Sequence, residues 1–385
     1  MSVTVGIIGA GPAGLAAAID AQRQGLHAVV FERRTPPVDK ACGEGIMPAG
    51  VRHLTDHLGV HLDRSACHTF SGIQWVDDTG AVARATFPSG VGLGVRRSTL
   101  HAALTERCEA LNVDLRWGTT VRGLSAEGLS TDEGVVAVDW ILGADGLHSK
   151  ARGWAGIEVK RGRHARFGVR QHIGVAPESD TVEVHWSNHG EAYITPISDH
   201  EVGVAFLGGR GGASFEERLG QFPALQARYA GKPRTSPVRG AGPFHHRVRR
   251  PMRGQVMLIG DAAGYVDALT GEGVALAFHQ ATAALRALQT ETPGRYVRDH
   301  RAITRRYRFT TRWMLALQRR PWLRRQVIGA LSRDPDTFQT LLGFNEGHTG
   351  SAKLLSIAPR ALWRGVLSAA HPPERSSVPL LPTSS

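Results

Sequence analysis

Residues 3–34 read VTVGIIGAGPAGLAAAIDAQRQGLHAVVFERR, and the periodicities of this stretch decide the fold. Residues 3–8 form a short apolar run of the kind that makes a strand buried on both faces. The run stops at Gly9-x-Gly11-x-x-Gly14, after which an alanine-rich helix is expected to end near Gly25. A second apolar run, residues 28–31, completes a strand-helix-strand unit, and Glu32 ends it 18 residues beyond Gly14. The glycines permit a tight turn and let a pyrophosphate approach the helix N-terminus, where unpaired N–H groups and the helix dipole favour negative charge. An acid at the end of the second strand is placed to accept hydrogen bonds from an adenosine ribose. The candidate dinucleotide contacts in this unit are Gly9, Gly11, Pro12, Ala13, Gly14 and Glu32, with Arg33 near the adenine.

The remaining composition is that of an ordinary globular protein. With 385 residues the chain exceeds the span of a single core, about 250–300 residues, so two lobes are expected. Hydrophobic residues make up 42% and charged residues 21%. No apolar run approaches the roughly 18–20 residues needed to cross a bilayer, and the first motif begins too early for a signal peptide to precede it. A cytoplasmic location follows as the expectation. Cys42, Cys67 and Cys108 are too few and too scattered for a disulfide framework or a structural zinc site, and are expected to be reduced. The net charge of +12 admits nucleic acid, an anionic membrane surface or acidic cofactors as partners. Its densest stretch, residues 295–325, alternates arginines with Trp313, Met314, Leu315, Leu317, Trp322 and Leu323 at helical spacing. That pattern fits a solvated helix face or peripheral contact with a membrane, not a nucleic-acid tract.

Further along, Ser98 is a candidate N-cap for a helix from Thr99 to about Leu111, which leads into the strand VDLRW. Residues 166–207 alternate apolar and polar in short runs such as TVEVHW and EVGVAFL, as an antiparallel sheet would. The strand QVMLIG then returns to the first lobe, and from Gly271 the pattern is helical almost to Leu367. The expected architecture is an α/β protein with a Rossmann-like nucleotide-binding domain, an inserted antiparallel β-sheet domain for substrate, and C-terminal helices. The nucleotide domain is discontinuous over 1–68, 92–160 and 240–290, and the sheet domain takes 69–91 and 161–239. Residues 291–368 form the helical region, and the proline- and serine-rich residues 369–385 a disordered tail.

Two later segments, WILGADGLHSKAR at 140–152 and VMLIGDAAG at 256–264, together with the opening glycine motif, resemble the three ordered fingerprints of the flavoprotein monooxygenase superfamily, which includes p-hydroxybenzoate hydroxylases and geranylgeranyl reductases. The resemblance implies FAD as the cofactor. It implies that Asp261 hydrogen-bonds a ribityl hydroxyl, that Arg97 reaches the pyrophosphate, and that Asp145 supports both FAD and the reduced nicotinamide of NAD(P)H. Gly271, Gly273 and Val274 would bring backbone N–H groups of a helix N-terminus to the flavin, whose reduced form is negative near N1 and O2.

The segment DKACGEGIMPAG at 39–50, with TGEGVALAF, resembles the reductase branch of the superfamily more than the phenol hydroxylases, which usually carry histidine where Gly264 stands. The reductase branch commonly has Tyr-x-Trp-x-Phe-Pro in its substrate sheet. Here GEAYITP keeps Tyr193 and Pro196 without the outer aromatics, which speaks against a geranylgeranyl substrate, and the Trp-x-Trp-x-Ile-Pro of related halogenases is missing as well. Cys42 and Gly43 would lie on a loop beside the flavin, with Cys42 as a proton donor or an inert packing residue. Glu44 would touch the ribityl or substrate side or serve the loop alone. Cys42 and Tyr193 are the catalytic candidates, and His185, Trp186 and His189 share the sheet with Tyr193. No metal spacing or Ser-His-Asp arrangement is seen, and a flavin needs none.

The first expectation is thus an FAD-dependent monooxygenase. NAD(P)H would reduce the flavin, oxygen would add at C4a, and the hydroperoxide would hydroxylate or epoxidise an apolar aromatic, polyketide or isoprenoid molecule. The alternative is a reductase that moves hydride from the flavin to an isoprenoid double bond. A third reading is a basic nucleic-acid or membrane-surface binding protein in which FAD is only structural, which predicts tight, salt-sensitive binding to such a surface and no NAD(P)H oxidation with any small substrate.

Overall fold

The apolar runs of the opening motif become the parallel strands Thr4–Ile8 and His27–Glu32, in register from Thr4 beside His27 to Ile8 beside Phe31. In the computed structural model, which describes residues 3–162, 165–209 and 213–347, these two belong to a six-stranded sheet. Trp140–Gly143 and Val256–Leu258 extend it on one side of Thr4–Ile8, and His27–Glu32 and Asp114–Trp117 on the other, all parallel. Met252–Arg253 closes one edge antiparallel. One face is covered by the helices Pro12–Arg23, Arg97–Ala110 and Gly273–Gln289, whose Ala16, Leu104, Phe278 and Leu285 are fully buried. The other face meets a small antiparallel sheet, Val121–Leu124, Gly128–Thr131 and Gly134–Ala137, through Leu129, Val29 and Phe31. Coverage of both faces explains why the inner strands, such as Thr4–Ile8 and Trp140–Gly143, are almost wholly apolar. Connections leave the central strand in opposite directions, so a crevice opens at the carboxyl ends of the strands, where ligands bind in such sheets.

The second lobe is a seven-stranded sheet in the order Arg239–Ala241, Arg166–Ile173, Glu201–Gly209, Gly190–Ser198, Thr181–Ser187, Gly72–Val76, Val82–Thr86. It is antiparallel except where Thr181–Ser187 runs parallel to Gly72–Val76, the join between two separate chain segments. Alternation divides its residues cleanly. Val182, Val184 and Tyr193 face one side, whereas Ala192, Ile194 and Phe206 face the other, against the helices Phe215–Gly220 and Pro223–Tyr229.

The helices Arg295–Gln318, Pro321–Arg333 and Pro335–Asn345 lie on the first of these sides. Two begin with proline at the first position, where its missing N–H costs nothing. Trp75 joins them to the sheet, with its ring 4.8 Å from that of Phe338, 5.4 Å from Trp186 and 6.3 Å from Trp313. The expected 369–385 tail and the 348–368 end of the helical region lie outside the described residues.

Ser98 is not an N-cap. The helix starts at Arg97, and the Arg97 N–H is accepted by the carboxylate of Glu44 at 2.8 Å. A distant side chain satisfies the terminal N–H, so the local serine falls inside the first turn.

Because Trp75 and Phe338 are 5% and 1% exposed and touch, Trp75→Ala and Phe338→Ala should each cost about 3–5 kcal/mol of stability in denaturant melts. The double variant should lose less than the sum. Additive losses would show that the helices are not seated on the sheet through this pair.

Candidate functional site

The crevice of the parallel sheet continues into the space between the seven-stranded sheet and the C-terminal helices as one cavity of about 1370 Å³. Small-molecule pockets commonly measure about 300–1,000 Å³, so this space is large enough for a cofactor and a second molecule. Its two arms differ in chemistry. The crevice arm is lined by glycines and charged groups, and the other by Trp75, Val184, Leu207, Trp313, Leu331 and Phe338 among further apolar residues.

In the crevice arm, Gly9 has φ +102° and turns the chain, while Gly11, Pro12 and Ala13 line the wall at the start of the first helix. Gly14 does not line the cavity. A Cβ there would stand 1.9 Å from the Gly9 carbonyl oxygen, so this glycine lets the helix close on the turn. Glu32 is buried, and its carboxylate accepts the N–H groups of Ala10 at 3.1 Å and Arg34 at 3.2 Å. Arg33 is exposed at the same end. Arg97 reaches from its helix to within 3.8 Å of where a Gly11 side chain would begin, and its Nη1 is buried with no hydrogen-bond partner among the described residues. A buried, unpartnered guanidinium beside a glycine turn is the donor set that a pyrophosphate requires. Lys40, which sequence reasoning missed, adds a second cation to this wall.

Asp145 divides its two oxygens. Oδ2 accepts the N–H groups of Lys150 at 2.7 Å and Ala151 at 3.0 Å, anchoring the short helix Lys150–Trp154. Oδ1 is buried at the cavity wall with no partner among the described residues. Asp261 faces the cavity from the 3-10 turn Gly260–Ala263, and burial pushes its carboxyl above the ordinary range against the pull of Lys40 and Arg97. Beyond it, Gly271 at φ +66° precedes the helix that begins at Gly273, and Gly271, Gly273 and Val274 all line the cavity. Glu272 caps no N–H with its side chain. It accepts from Asn345 Nδ2 at 2.6 Å, and burial together with Glu346 pushes its carboxyl to about 8.

Cys42 and Gly43 line the cavity between its two arms. Loss of solvent in the wall pushes the Cys42 thiol up, against the pull of Arg97, so the sulfur is a protonated thiol near neutrality. Its Sγ accepts the Glu44 N–H at 3.4 Å. Glu44 itself, at φ 60°, pairs with Arg170 at 3.1 Å and with His172, besides holding the Arg97 N–H. Arg170 continues to Asp39 at 2.9 Å. Thr195 Oγ1 donates to the Gly43 carbonyl at 2.9 Å, so the sheet grips the cysteine loop directly.

Tyr193 lines the apolar arm, and its hydroxyl donates to the Leu269 carbonyl at 3.0 Å. Burial holds this phenol well above its ordinary pKa. Its strand neighbours on the same face are Glu191, which pairs with Arg166, and Thr195. The other candidates from this sheet stand elsewhere. His185 bonds Glu183 at 2.8 Å, Trp186 packs on Trp75, and neither these two nor His189 lines the cavity.

The charge pattern, the glycine wall and the unpartnered Arg97 and Asp145 atoms suit FAD. Residues 2–299 match the family model described as FAD binding domain. Over 294 residues the chain is 28% identical to digeranylgeranylglycerophospholipid reductase 1 of Methanococcoides burtonii, covering 70% of each. Over 307 residues it is 29% identical to 6-methylpretetramide 4-monooxygenase of Streptomyces rimosus, covering 72% of this chain and 73% of that one. Its fold is similar to that of a flavoprotein/dehydrogenase from Cytophaga hutchinsonii, with TM-score 0.78 and 19% identity over 90% of this chain and 93% of the other. Matched over most of its length, the chain belongs to the FAD binding domain family and is an FAD-dependent oxidoreductase.

Proposed function

We propose that this oxidoreductase is a monooxygenase that uses NAD(P)H and oxygen to hydroxylate an apolar aromatic or polyketide molecule bearing a polar group at one end. The observation that carries this reading is the face of the strand Gly190–Ser198 turned toward the cavity. Its alternate positions are Glu191, Tyr193 and Thr195, of which one is held in an ion pair and one hydrogen-bonds the cysteine loop. A polar end of the substrate meets the Tyr193 hydroxyl, which donates to Leu269 and keeps lone pairs free to accept a substrate O–H. The hydrocarbon body lies among Trp75, Val184, Trp313 and Phe338.

When bound, FAD supplies the redox chemistry, taking reducing equivalents from NAD(P)H and passing them to oxygen and substrate. The chain does the rest. Arg97 and the glycine turn would hold the pyrophosphate, Asp261 would fix the ribityl chain, and the N-terminus of the helix beginning at Gly273 would offer its positive end to the cofactor. The apolar arm keeps water from the reacting atoms, which oxygen transfer requires. Phe309 and Trp322, 56% and 72% exposed, stand at the rim of the cavity on the basic helices. They offer an apolar entry for substrate and a place for peripheral contact with a membrane; nucleic acid has no role in this reading. Among the described residues no helix is long and apolar enough to cross a membrane, and the three cysteines are free, as suits a cytoplasmic enzyme.

One observation favours a second reading, reduction of an isoprenoid double bond. Cys42 presents a protonated thiol on the cavity wall beside the expected ring system, the position of a proton donor for a hydride acceptor.

Gly11→Val should purify almost free of flavin, because the added side chain enters the pyrophosphate space beside Arg97. Asp261→Ala should weaken FAD binding about 10- to 100-fold, the loss of one buried charged hydrogen bond. Flavin absorbance after gel filtration reads both, and full occupancy in both variants would refute the cofactor assignment.

Cys42→Ser separates the two reactions, since thiol and hydroxyl differ far more in acidity than in size. A monooxygenase should keep turnover within about 10-fold and incorporate an atom of labelled oxygen gas, since general acid catalysis is worth about 10²–10⁴-fold only where that proton is used. Anaerobic alkene reduction that collapses in Cys42→Ser would establish the reductase instead.

A further inference from the structure

Away from the cavity, the helices Pro12–Arg23 and Gly273–Gln289 pack on one another through alanines, and into this apolar seam the chain places one carboxylate, Asp20, only 2% exposed. The segment His53–His57, a single π-helical turn, closes over it. His57 Nε2 lies 2.8 Å from Asp20 Oδ1, and the Thr282 hydroxyl donates to Asp20 Oδ2 at 2.5 Å. The same hydroxyl oxygen stands 3.1 Å from His53 Nε2 and 3.3 Å from His57 Nε2. One ligand atom from each of Asp20, His53 and His57 therefore lies within 4.8 Å of the others, around a single point. His279, one turn before Thr282 on its helix, sets its ring at right angles to that of His53, 4.7 Å away. None of these residues lines the cavity.

We propose that Asp20, His53 and His57 form a binding site for a divalent transition metal of the zinc class, distinct from the flavin site. Two imidazole nitrogens and one carboxylate oxygen are a donor set that suits zinc, nickel and cobalt and does not suit magnesium or calcium. The ring of His53 lies 4.5 Å from that of His57 and 4.7 Å from that of His279. Histidines four apart on one helical turn present both nitrogens to the same side, and the π turn brings the two rings together. The Thr282 hydroxyl stands beside the carboxylate as its orienting group, and the side chain of His57, 40% exposed, leaves an approach from solvent.

The site would act as a brace. It ties residue 20 of the first helix and the 53–57 turn to residue 282 of the helix whose other end, Gly273, faces the cavity; the nine residue steps between them span about 13 Å at 1.5 Å each. Metal bound there fixes from behind the helix that points at the cofactor.

The test uses full-length, untagged, FAD-loaded protein stripped with a chelator and titrated with zinc against a chromogenic competitor. One zinc per chain with submicromolar affinity is expected, and a melting temperature raised by about 3 °C at 100-fold excess over Kd. His57→Gln and Asp20→Asn, which keep shape and hydrogen bonding, should each bind at least 100-fold more weakly while FAD content stays the same. Cobalt added to the wild type should give ligand-field absorption outside the flavin bands, a readout that needs no variant. Absence of zinc binding below about 10 µM together with absence of a cobalt spectrum, or equal binding by wild type and His57→Gln, would overturn the proposal and leave the cluster as a hydrogen-bonded clamp.

Discussion

The carboxylate of Glu44 is the joint on which the two lobes depend. It accepts the N–H that starts the helix carrying Arg97, and it pairs with Arg170 and His172 from the seven-stranded sheet. A carboxylate 4% exposed is costly to bury unless its oxygens are filled, and here each has a charged or N–H partner. Its position at φ 60° lifts the loop so that Cys42 and Gly43 face the cavity while the side chain turns inward. Removal of that charge would leave Arg170 with Asp39 as its one remaining carboxylate partner, take from His172 the acceptor at its Nε2, and free the start of the Arg97 helix. The orientation of the cofactor wall and the docking of the substrate sheet are consequences of the same ion cluster.

A second cluster holds the opposite wall. Arg166 pairs with Glu191 of the substrate strand and, at 3.0 Å, with Asp267 of the loop that leads to Gly271. Burial pushes Glu191 to about 7, while Arg166 is raised by its two carboxylate neighbours, so the pair is held by mutual charge in a poorly solvated place. The Tyr307 hydroxyl donates to the Asp267 carbonyl at 2.7 Å and brings the C-terminal helices into the same assembly. Tyr193 sits between the two clusters on its strand, which is why its ring can be fixed while its oxygen stays at the cavity.

What was legible in the sequence is what depends on neighbours in the chain. The turn at Gly9–Gly14, the strands around it, Asp261 in its glycine-rich segment and the helix beginning at Gly273 all rest on local geometry, and the structure brings them to one crevice. Ser98 was misread because the helix begins at Arg97, two residues earlier than expected, where the Arg97 N–H is held by a residue 53 positions away. Lys40, Arg170 and His172 carried no local signal, since their meaning comes from what the fold sets opposite them. The imidazoles of His53, His57 and His279 belong to two separate segments, and only the packing of helices shows that they meet. Of the candidates on the strands Thr181–Ser187 and Gly190–Ser198, Tyr193 lines the cavity, whereas Trp186, on the same side of the sheet as Val184, is covered by Trp75.

The basic character of the chain has a partly internal explanation. Arg97, Arg166, Arg170 and Arg324 are all nearly or fully buried. Arg324, inside the stretch read as a solvated helix face, is 0% exposed and donates to the Ser187 carbonyl and Asn188 Oδ1 at 3.2 Å and to Asp78 at 3.3 Å. Arg325 beside it turns outward and still meets Asp78. Arginine suits such places because its planar fork satisfies several acceptors at once and is weakly hydrated for a cation. A net charge of +12 therefore overstates what the surface offers to an outside partner, since several of these cations are spent on carboxylates, carbonyls and the space meant for a pyrophosphate. Among the buried arginine Nη atoms of the described residues, Nη1 of Arg97 at the glycine turn has no hydrogen-bond partner, which suits a place where a ligand's negative charge would be met.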